Sequence, residues 1–167
     1  MTLLTVRNLR VSYPTRTGTV EAVRGISFTL GRERLGIVGE SGSGKSQTGR
    51  AIMGLTPPNA IISADRLEFG GIDLIHATPA QRRALRGNRV AMVLQDPKYS
   101  LNPVMTIGRQ IAETLLTHER LPRAEVKARV IAMLAAVRIS DPERVHDLYP
   151  HEVSGGMGQR AMIAMML

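Results

Sequence analysis

The sequence predicts an α/β fold organised around a phosphate-binding loop, and three features in succession carry that expectation. Leu35-Gly36-Ile37-Val38 is a short continuous apolar run of the kind found in a strand buried on both faces. The glycine-rich segment from Gly39 to Ser46 follows it directly, and from Gly44 to Leu55 the apolar period becomes helical, with Ala51, Ile52 and Leu55 spaced to bury one face. Strand, glycine-rich turn and helix in that order make half of an α/β crossover unit.

The loop itself is the strongest motif. Gly39-Glu40-Ser41-Gly42-Ser43-Gly44-Lys45-Ser46 matches the pattern in which four residues separate a first Gly from Gly-Lys-Ser/Thr. Glycines let the backbone curl until successive N–H groups converge on one anion, and the helix that starts near Gly44 adds its unpaired N–H groups and positive end. Lys45 can extend a point charge to the β- and γ-phosphates of a nucleotide, and the Ser46 hydroxyl can ligate Mg²⁺ bound to the same phosphates. A Gly/Ser-rich surface turn would need neither the lysine nor the strand and helix on either side.

The remaining elements follow in chain order. Residues 2–11 and 20–30 read as strands from their recurring β-branched and apolar residues, with Pro14 to Gly18 as a turn-rich connection and Gly31 to Arg34 as a second turn. Pro57-Pro58 stops the helix that began at the loop. Residues 60–69 are extended, Gly70-Gly71 turn, Pro79 to Leu85 form a short helix, and Arg89 to Leu94 return to strand character. Pro97 to Pro103 is irregular. Ile107 to His118 and Ala124 to Val137 are then two helices whose apolar positions, Ile107, Ile111, Leu115, Val126, Val130, Ile131 and Leu134, suit a small helical lobe. Tyr149 to Val153 is a linker, and Ser154 begins a last helix.

Composition bounds the function. The 167 residues, 43% of them hydrophobic but only 3% aromatic, suffice for one domain with an aliphatic core. The absence of cysteine excludes a disulfide framework or thiolate metal site and fits a reducing compartment. No leader pattern is expected at the N-terminus, and no apolar window reaches the length of a membrane span. A net charge of +8 is compatible with nucleic acid, an anionic membrane face or nucleotide phosphates. The densest basic stretch, Arg82, Arg83, Arg86 and Arg89, has no interleaved aromatics, so it reads as a solvated or membrane-facing surface rather than a base-stacking platform.

Together with the phosphate loop, three further segments resemble the ATP-binding subunits of ABC transporters, in particular the branch that imports dipeptides, oligopeptides and nickel. They are Val90-Ala91-Met92-Val93-Leu94-Gln95-Asp96-Pro97, Ser100-Leu101-Asn102-Pro103, and Tyr149-Pro150-His151-Glu152-Val153-Ser154-Gly155-Gly156-Met157-Gly158-Gln159-Arg160. The resemblance covers nearly all of the chain. It implies a P-loop NTPase fold of the ABC type with an antiparallel β subdomain and a helical lobe, residues 1–95 holding the nucleotide-binding core and β subdomain and 96–160 the lobe that ends in the signature motif.

The same resemblance implies roles for individual residues. Gln95 takes the place of a glutamine that senses the γ-phosphate and Mg²⁺; an amide there can offer oxygen to the metal or a water and nitrogen to phosphate, without a carboxylate's repulsion. Ser154 has the chemistry of a helix N-cap, and Gly155 and Gly156 let a phosphate approach exposed backbone N–H groups, in the family the γ-phosphate held by the opposite subunit of a head-to-tail dimer. Tyr13 stands where an aromatic stacks on adenine, or serves as a strand-end core aromatic. Val153 departs from the usual leucine, and Gly158 from an arginine common in the peptide branch, which places a flexible residue in the first helical turn. His76, His118, His146 and His151 lack metal-ligand spacing, and His151 is expected to order the loop before the signature or to lie on the surface.

The implied activity is ATP- and Mg²⁺-dependent motor action coupled to uptake of a small solute, a peptide in the resembling branch. The implied partners are a second ATP-binding subunit, two membrane-spanning permease subunits and, indirectly, a solute-binding protein, all at the cytoplasmic face of the membrane. In the family the carboxylate that polarises the attacking water follows the signature helix, beyond Leu167, so these 167 residues alone are expected to leave the core sheet incomplete and to hydrolyse ATP negligibly. The alternatives are an ABC-class ATPase acting on nucleic acid and a nucleotide-responsive assembly module. The peptide-branch segment Ser100 to Pro103 favours transport over both.

Overall fold

The computed structural model describes residues 2–94 and 100–167, which divide into two units, Met1–Val90 and Ala91–Leu167. The first unit is an antiparallel sheet with two helices on one face. Strands β1 (Leu4–Thr15) and β2 (Gly18–Leu30) form a long hairpin, β1 pairs on its other edge with β3 (Ile61–Ser63) and β4 (Arg66–Phe69), and β5 (Ile72–Asp73) completes the order β2-β1-β4-β5. Helix α1 (Lys45–Met53) and helix α2 (Pro79–Leu85) supply the covering layer.

Bulges decide which side chains reach the core. Val6 opposes Phe28 and Leu9 opposes Ile26, so β1 carries one more residue than β2 over that interval. Asn8 adopts a positive φ of 49° there, which asparagine tolerates better than most residues, and its N–H is held by the Ser27 hydroxyl at 2.9 Å. The extra residue shifts the two-residue alternation by one, so Leu4 and Val6 before it and Leu9 and Val11 after it all lie in one buried cluster with Val23, Ala51, Leu67, Phe69, Leu74 and Leu85.

Several expected elements between residues 14 and 94 are corrected. The connection expected at Pro14 to Gly18 shrinks to Arg16-Thr17, because β1 runs on to Thr15 opposite Gly18. Proline is tolerated at position 14 because the second edge of β1 is paired no further than Ser12, opposite Ile61. Helix α1 ends at Gly54, not at the prolines: Gly54 takes φ 60°, its N–H bonds to Ala51 and that of Leu55 to Arg50, leaving Leu55 outside the helix and exposed.

The expected strands at Leu35–Val38 and Arg89–Leu94 do not form ladders. Leu35, Ile37 and Val38 are 45%, 49% and 93% exposed, and Val93 and Leu94 are 44% and 39% exposed. Val90 makes only an isolated bridge to Arg86. A strand is stabilised by its neighbours, and among the described residues neither segment has a partner strand; the apolar edges stand open, as expected of an incomplete core sheet.

Of the arginines in the expected basic surface, Arg82 and Arg86 are partly buried and brace the backbone, while Arg83 and Arg89 are exposed. Arg86 donates to the carbonyls of Met53 and Gly54 at 2.9 and 2.7 Å, closing the C-terminal end of α1. Arg82 donates to the carbonyls of Leu74 and Ala77 at 2.6 and 3.2 Å. Arg89 lies 5.5 Å from the Phe69 ring centre, a cation–π contact. Only Arg83 of the four has no such partner among the described contacts.

The second unit is helical. Helices α3 (Ile107–His118), α4 (Arg123–Ala136), α5 (Pro142–Asp147) and α6 (Gly155–Ala164) enclose a core of Ile107, Ile111, Val130, Leu134, Ile139, Val145, Ala161 and Ala164. Val126 and Ile131 are only partly buried. Helix α5 escaped the sequence reading although it carries a start signal, Asp141 as N-cap, accepting from the Arg144 N–H, with Pro142 at the first helical position. A 3₁₀ turn, Pro150–Glu152, occupies the expected linker.

Candidate functional site

The phosphate loop lies between the open segment 35–38 and α1. Gly42 and Gly44 adopt φ of 83° and 92°, and the Ser43 N–H returns to the Glu40 carbonyl at 3.2 Å, so the backbone curls from Gly39 to Gly44. Thr48, almost fully buried, anchors the junction by donating its hydroxyl to the Gly44 carbonyl at 3.1 Å. Lys45, the first residue of α1, folds back over the loop: its ammonium donates to the Gly39 and Glu40 carbonyls, both at 2.7 Å, and approaches the Ser43 hydroxyl at 3.4 Å. Ser46 is exposed in the first turn of the same helix, and Ser41 is exposed on the loop. The Lys45 cation beside a helix N-terminus, whose first N–H groups have no intrahelical partner, can act as a donor set for a polyphosphate, with the Ser46 hydroxyl on the same turn able to ligate its metal.

Tyr13, at the far end of β1, is brought to this helix. Its ring is half-buried against the core of the unit, and its hydroxyl donates to the Gln47 side-chain oxygen at 2.7 Å. Sequence reasoning named Tyr13 but missed Gln47. The signal was its place two residues past the loop lysine, in the first turn of the same helix.

In the second unit Ser154 is the N-cap of α6, its hydroxyl accepting from the Met157 N–H at 3.3 Å. Gly155 and Gly156 are exposed, neither has a positive φ, and a β-carbon built on either meets no atom within 4 Å. Nothing in the described residues requires glycine at these positions. Gly158 is buried, and α6 continues through it, with its N–H bonded to the Ser154 carbonyl at 2.9 Å. Arg160, on α6, donates to the Arg138 carbonyl at 2.6 Å.

The loop before α6 is ordered by its own side chains. The Tyr149 N–H donates to the Glu152 carboxylate at 2.7 Å, and the rings of Tyr149 and His151 stack with centroids 5.7 Å apart. The segment from Ser100 to Pro103 is held by the buried Gln110, whose amide donates to the carbonyls of Asn102 and Met105 and accepts from the Asn102 N–H at 2.8 Å. Gln110 is a second residue that the sequence did not mark.

His76, His146 and His151 make structural contacts. The His146 ring fills the notch left by Gly108, where a β-carbon would overlap it. Its pairing with Asp147 holds that carboxyl below the usual range, as the hydrogen bond from His76 does for Asp73. Among the described residues no group of three His, Asp or Glu could hold a metal ion. Gln95, the expected γ-phosphate sensor, lies outside the described residues, as does Asp96 beside it.

Comparison with known proteins gives a consistent result. The family described as "ABC transporter" matches residues 23–167. The dipeptide transport ATP-binding protein DppD of Bacillus subtilis is 46% identical over 167 residues, covering 99% of this chain and 50% of that protein. The oligopeptide transport ATP-binding protein OppD of Salmonella typhimurium is 45% identical over 166 residues, covering 99% of this chain and 49% of that protein. The chain thus spans about half the length of the curated relatives it matches. Among solved structures, the dimeric post-hydrolysis state of the ATP-binding cassette MJ0796, bound to ADP and Pi, superposes with a TM-score of 0.81 at 22% identity, covering 99% of this chain and 69% of that one. The cbiO1 protein of Clostridium perfringens, part of the ABC transporter complex cbiONQ, gives a TM-score of 0.75 at 26% identity, covering 99% and 61%.

Proposed function

The chain belongs to the ABC transporter family, and from that premise we propose that it forms the nucleotide-binding part of a motor subunit that couples ATP binding and hydrolysis to import of a di- or oligopeptide. The observation that carries the nucleotide reading is the curled loop with Lys45 drawn over its carbonyls at the start of α1. The solute class is supported by relatives named for dipeptide and oligopeptide transport at 44–46% identity over almost the whole chain.

In this reading Gly39, Glu40, Ser41, Gly42, Ser43 and Gly44 present backbone N–H groups to the phosphates. Lys45 exchanges its carbonyl partners for β- and γ-phosphate oxygens, a stronger charge-assisted contact. Mg²⁺ would be held by the Ser46 hydroxyl and the Gln95 amide, and would neutralise charge that builds on the transferring phosphoryl group. Tyr13 offers its ring to the adenine. Ser154, Gly155 and Gly156 present the N-terminus of α6 to nucleotide on a second ATP-binding subunit, which explains glycines that no contact within the described residues demands.

The proposed partners are that second subunit, two membrane-spanning permeases and, indirectly, a solute-binding protein, with the subunit peripheral to the cytoplasmic face of the membrane. No helix among the described residues is long and apolar enough to cross a membrane, so attachment would come through the permeases. The use of Arg82 and Arg86 to hold backbone carbonyls weakens the case for a nucleic-acid partner.

Titration of Lys45→Ala with ATP–Mg²⁺ tests the nucleotide assignment. At least about a tenfold loss of affinity is expected with the circular dichroism spectrum retained, since two or more charge-assisted contacts disappear. Unchanged affinity would remove the assignment. Co-purification tests the transport reading: recovery with two multispanning membrane proteins is expected, and recovery with DNA ends instead would overturn it.

A further inference from the structure

Gln47 and Tyr13 form one unit. The phenol hydroxyl donates to the Gln47 amide oxygen at 2.7 Å, joining the distal end of strand β1 to the first turn of α1. Tyr13 belongs to the end of β1 that is paired on one edge only, beyond the register with β3, which stops at Ser12. Its backbone is therefore held by β2 alone, opposite Val20, and Val20 is itself 55% exposed. Packing against the core restrains one side of the ring, while its polar end needs a partner to fix the ring's orientation. The Gln47 amide is the polar partner found there, and it comes from the helix that carries Lys45 and Ser46.

We propose that Gln47 is a positioning residue for nucleotide recognition: by holding the Tyr13 hydroxyl it sets the ring's orientation and its distance from the phosphate loop, so that base and phosphates are read at a fixed separation. The proposal rests on the nucleotide-binding reading above. An aromatic face binds any purine with little selectivity of its own. A ring preorganised against α1 gains affinity by sparing the cost of ordering it on binding. With its oxygen engaged by Tyr13, the Gln47 amide still has two N–H donors, so this hydrogen bond does not exhaust the residue.

The experiment measures dissociation constants of purified protein for ATP–Mg²⁺ and for tripolyphosphate–Mg²⁺ in four forms: unaltered, Gln47→Ala, Tyr13→Phe and the double variant. Tyr13→Phe preserves ring volume and core packing, so it remains informative if Gln47→Ala folds poorly. Each single variant is expected to weaken ATP about three- to tenfold, the range of one net hydrogen bond, and to leave tripolyphosphate within about twofold. The double variant is expected to match the singles, because both remove the same bond. Additive losses, an equal loss for tripolyphosphate, or no loss in Tyr13→Phe would each overturn the proposal. Lys45→Ala is measured alongside. If it too binds both ligands like the unaltered protein, the nucleotide reading fails; if it loses both while Tyr13→Phe binds ATP normally, only the Gln47 role fails.

Discussion

Gly44 packs against the carbonyl oxygen of Ala22 so closely that a β-carbon on Gly44 would overlap it. Ala22 lies where β2 carries an extra residue, between the pairs Val11–Val23 and Ser12–Glu21. The bulge turns that carbonyl toward the start of α1, and the phosphate loop reaches its helix only because position 44 has no side chain. Its φ of 92° adds a second reason for glycine. Gly44→Ala is expected to cost about 1–3 kcal/mol of stability, read by urea denaturation, and to weaken ATP as the loop shifts. A variant with unchanged midpoint would show that the hairpin gives way at no cost.

Gly156 presents the opposite case. It lies in the first turn of α6 with open space where a β-carbon would be. Gly156→Ala is therefore expected to leave stability unchanged or to raise it by up to about 0.5–1 kcal/mol, the helix-propensity difference. If a phosphate from a second subunit approaches these N–H groups, the same variant will impair ATP-driven dimerisation measured by light scattering. Normal dimerisation would remove the cross-subunit role.

Helices α1 and α4 end in the same way with different residues. At α1 the left-handed position is Gly54; at α4 it is Arg138, φ 60°, with its N–H on Ala135 and that of Ile139 on Leu134. A side chain there costs about 1 kcal/mol that glycine avoids. Arg138→Gly is expected to raise the unfolding free energy by about 0.5–1 kcal/mol, while Arg160→Ala, which removes the donor to the Arg138 carbonyl, lowers it. A destabilising Arg138→Gly would show that the arginine side chain contributes more than its backbone strain costs.

Acid should loosen the segment after β5. The His76 side chain, 2.7 Å away, and the Ile75 N–H, at 2.8 Å, hold the Asp73 carboxyl below its ordinary value of 3.8. A carboxyl lowered on folding contributes stability that is complete above the unfolded value and is lost as pH falls through the folded one. The loss is therefore expected below pH 3.8, and the Asp73 carboxyl carbon should titrate by NMR with a midpoint under that value. In His76→Ala the midpoint should move upward. An unmoved midpoint would mean that the histidine does not hold the carboxylate.

The sequence by itself determined what depends on neighbours a few residues apart. The loop from Gly39 to Ser46 and the Ser154 cap were legible because their chemistry is a matter of backbone turns and the nearest N–H groups. Helices α3 and α4 were legible because their apolar residues repeat at the helical period. Tertiary structure decided what depends on distant partners. Leu35–Val38 reads as a buried strand, yet with no described strand beside it the segment forms no ladder. Arg82, Arg86 and Arg89 read as a charged surface, yet two reach carbonyls and one an aromatic ring brought near by the fold. The role of Gln47 was invisible because Tyr13 is far away in sequence, and only the register of a bulged hairpin against α1 makes them neighbours. An isolated side chain carries its hydrogen-bonding capacity in its formula, but the partner that uses it is set by packing across the whole unit.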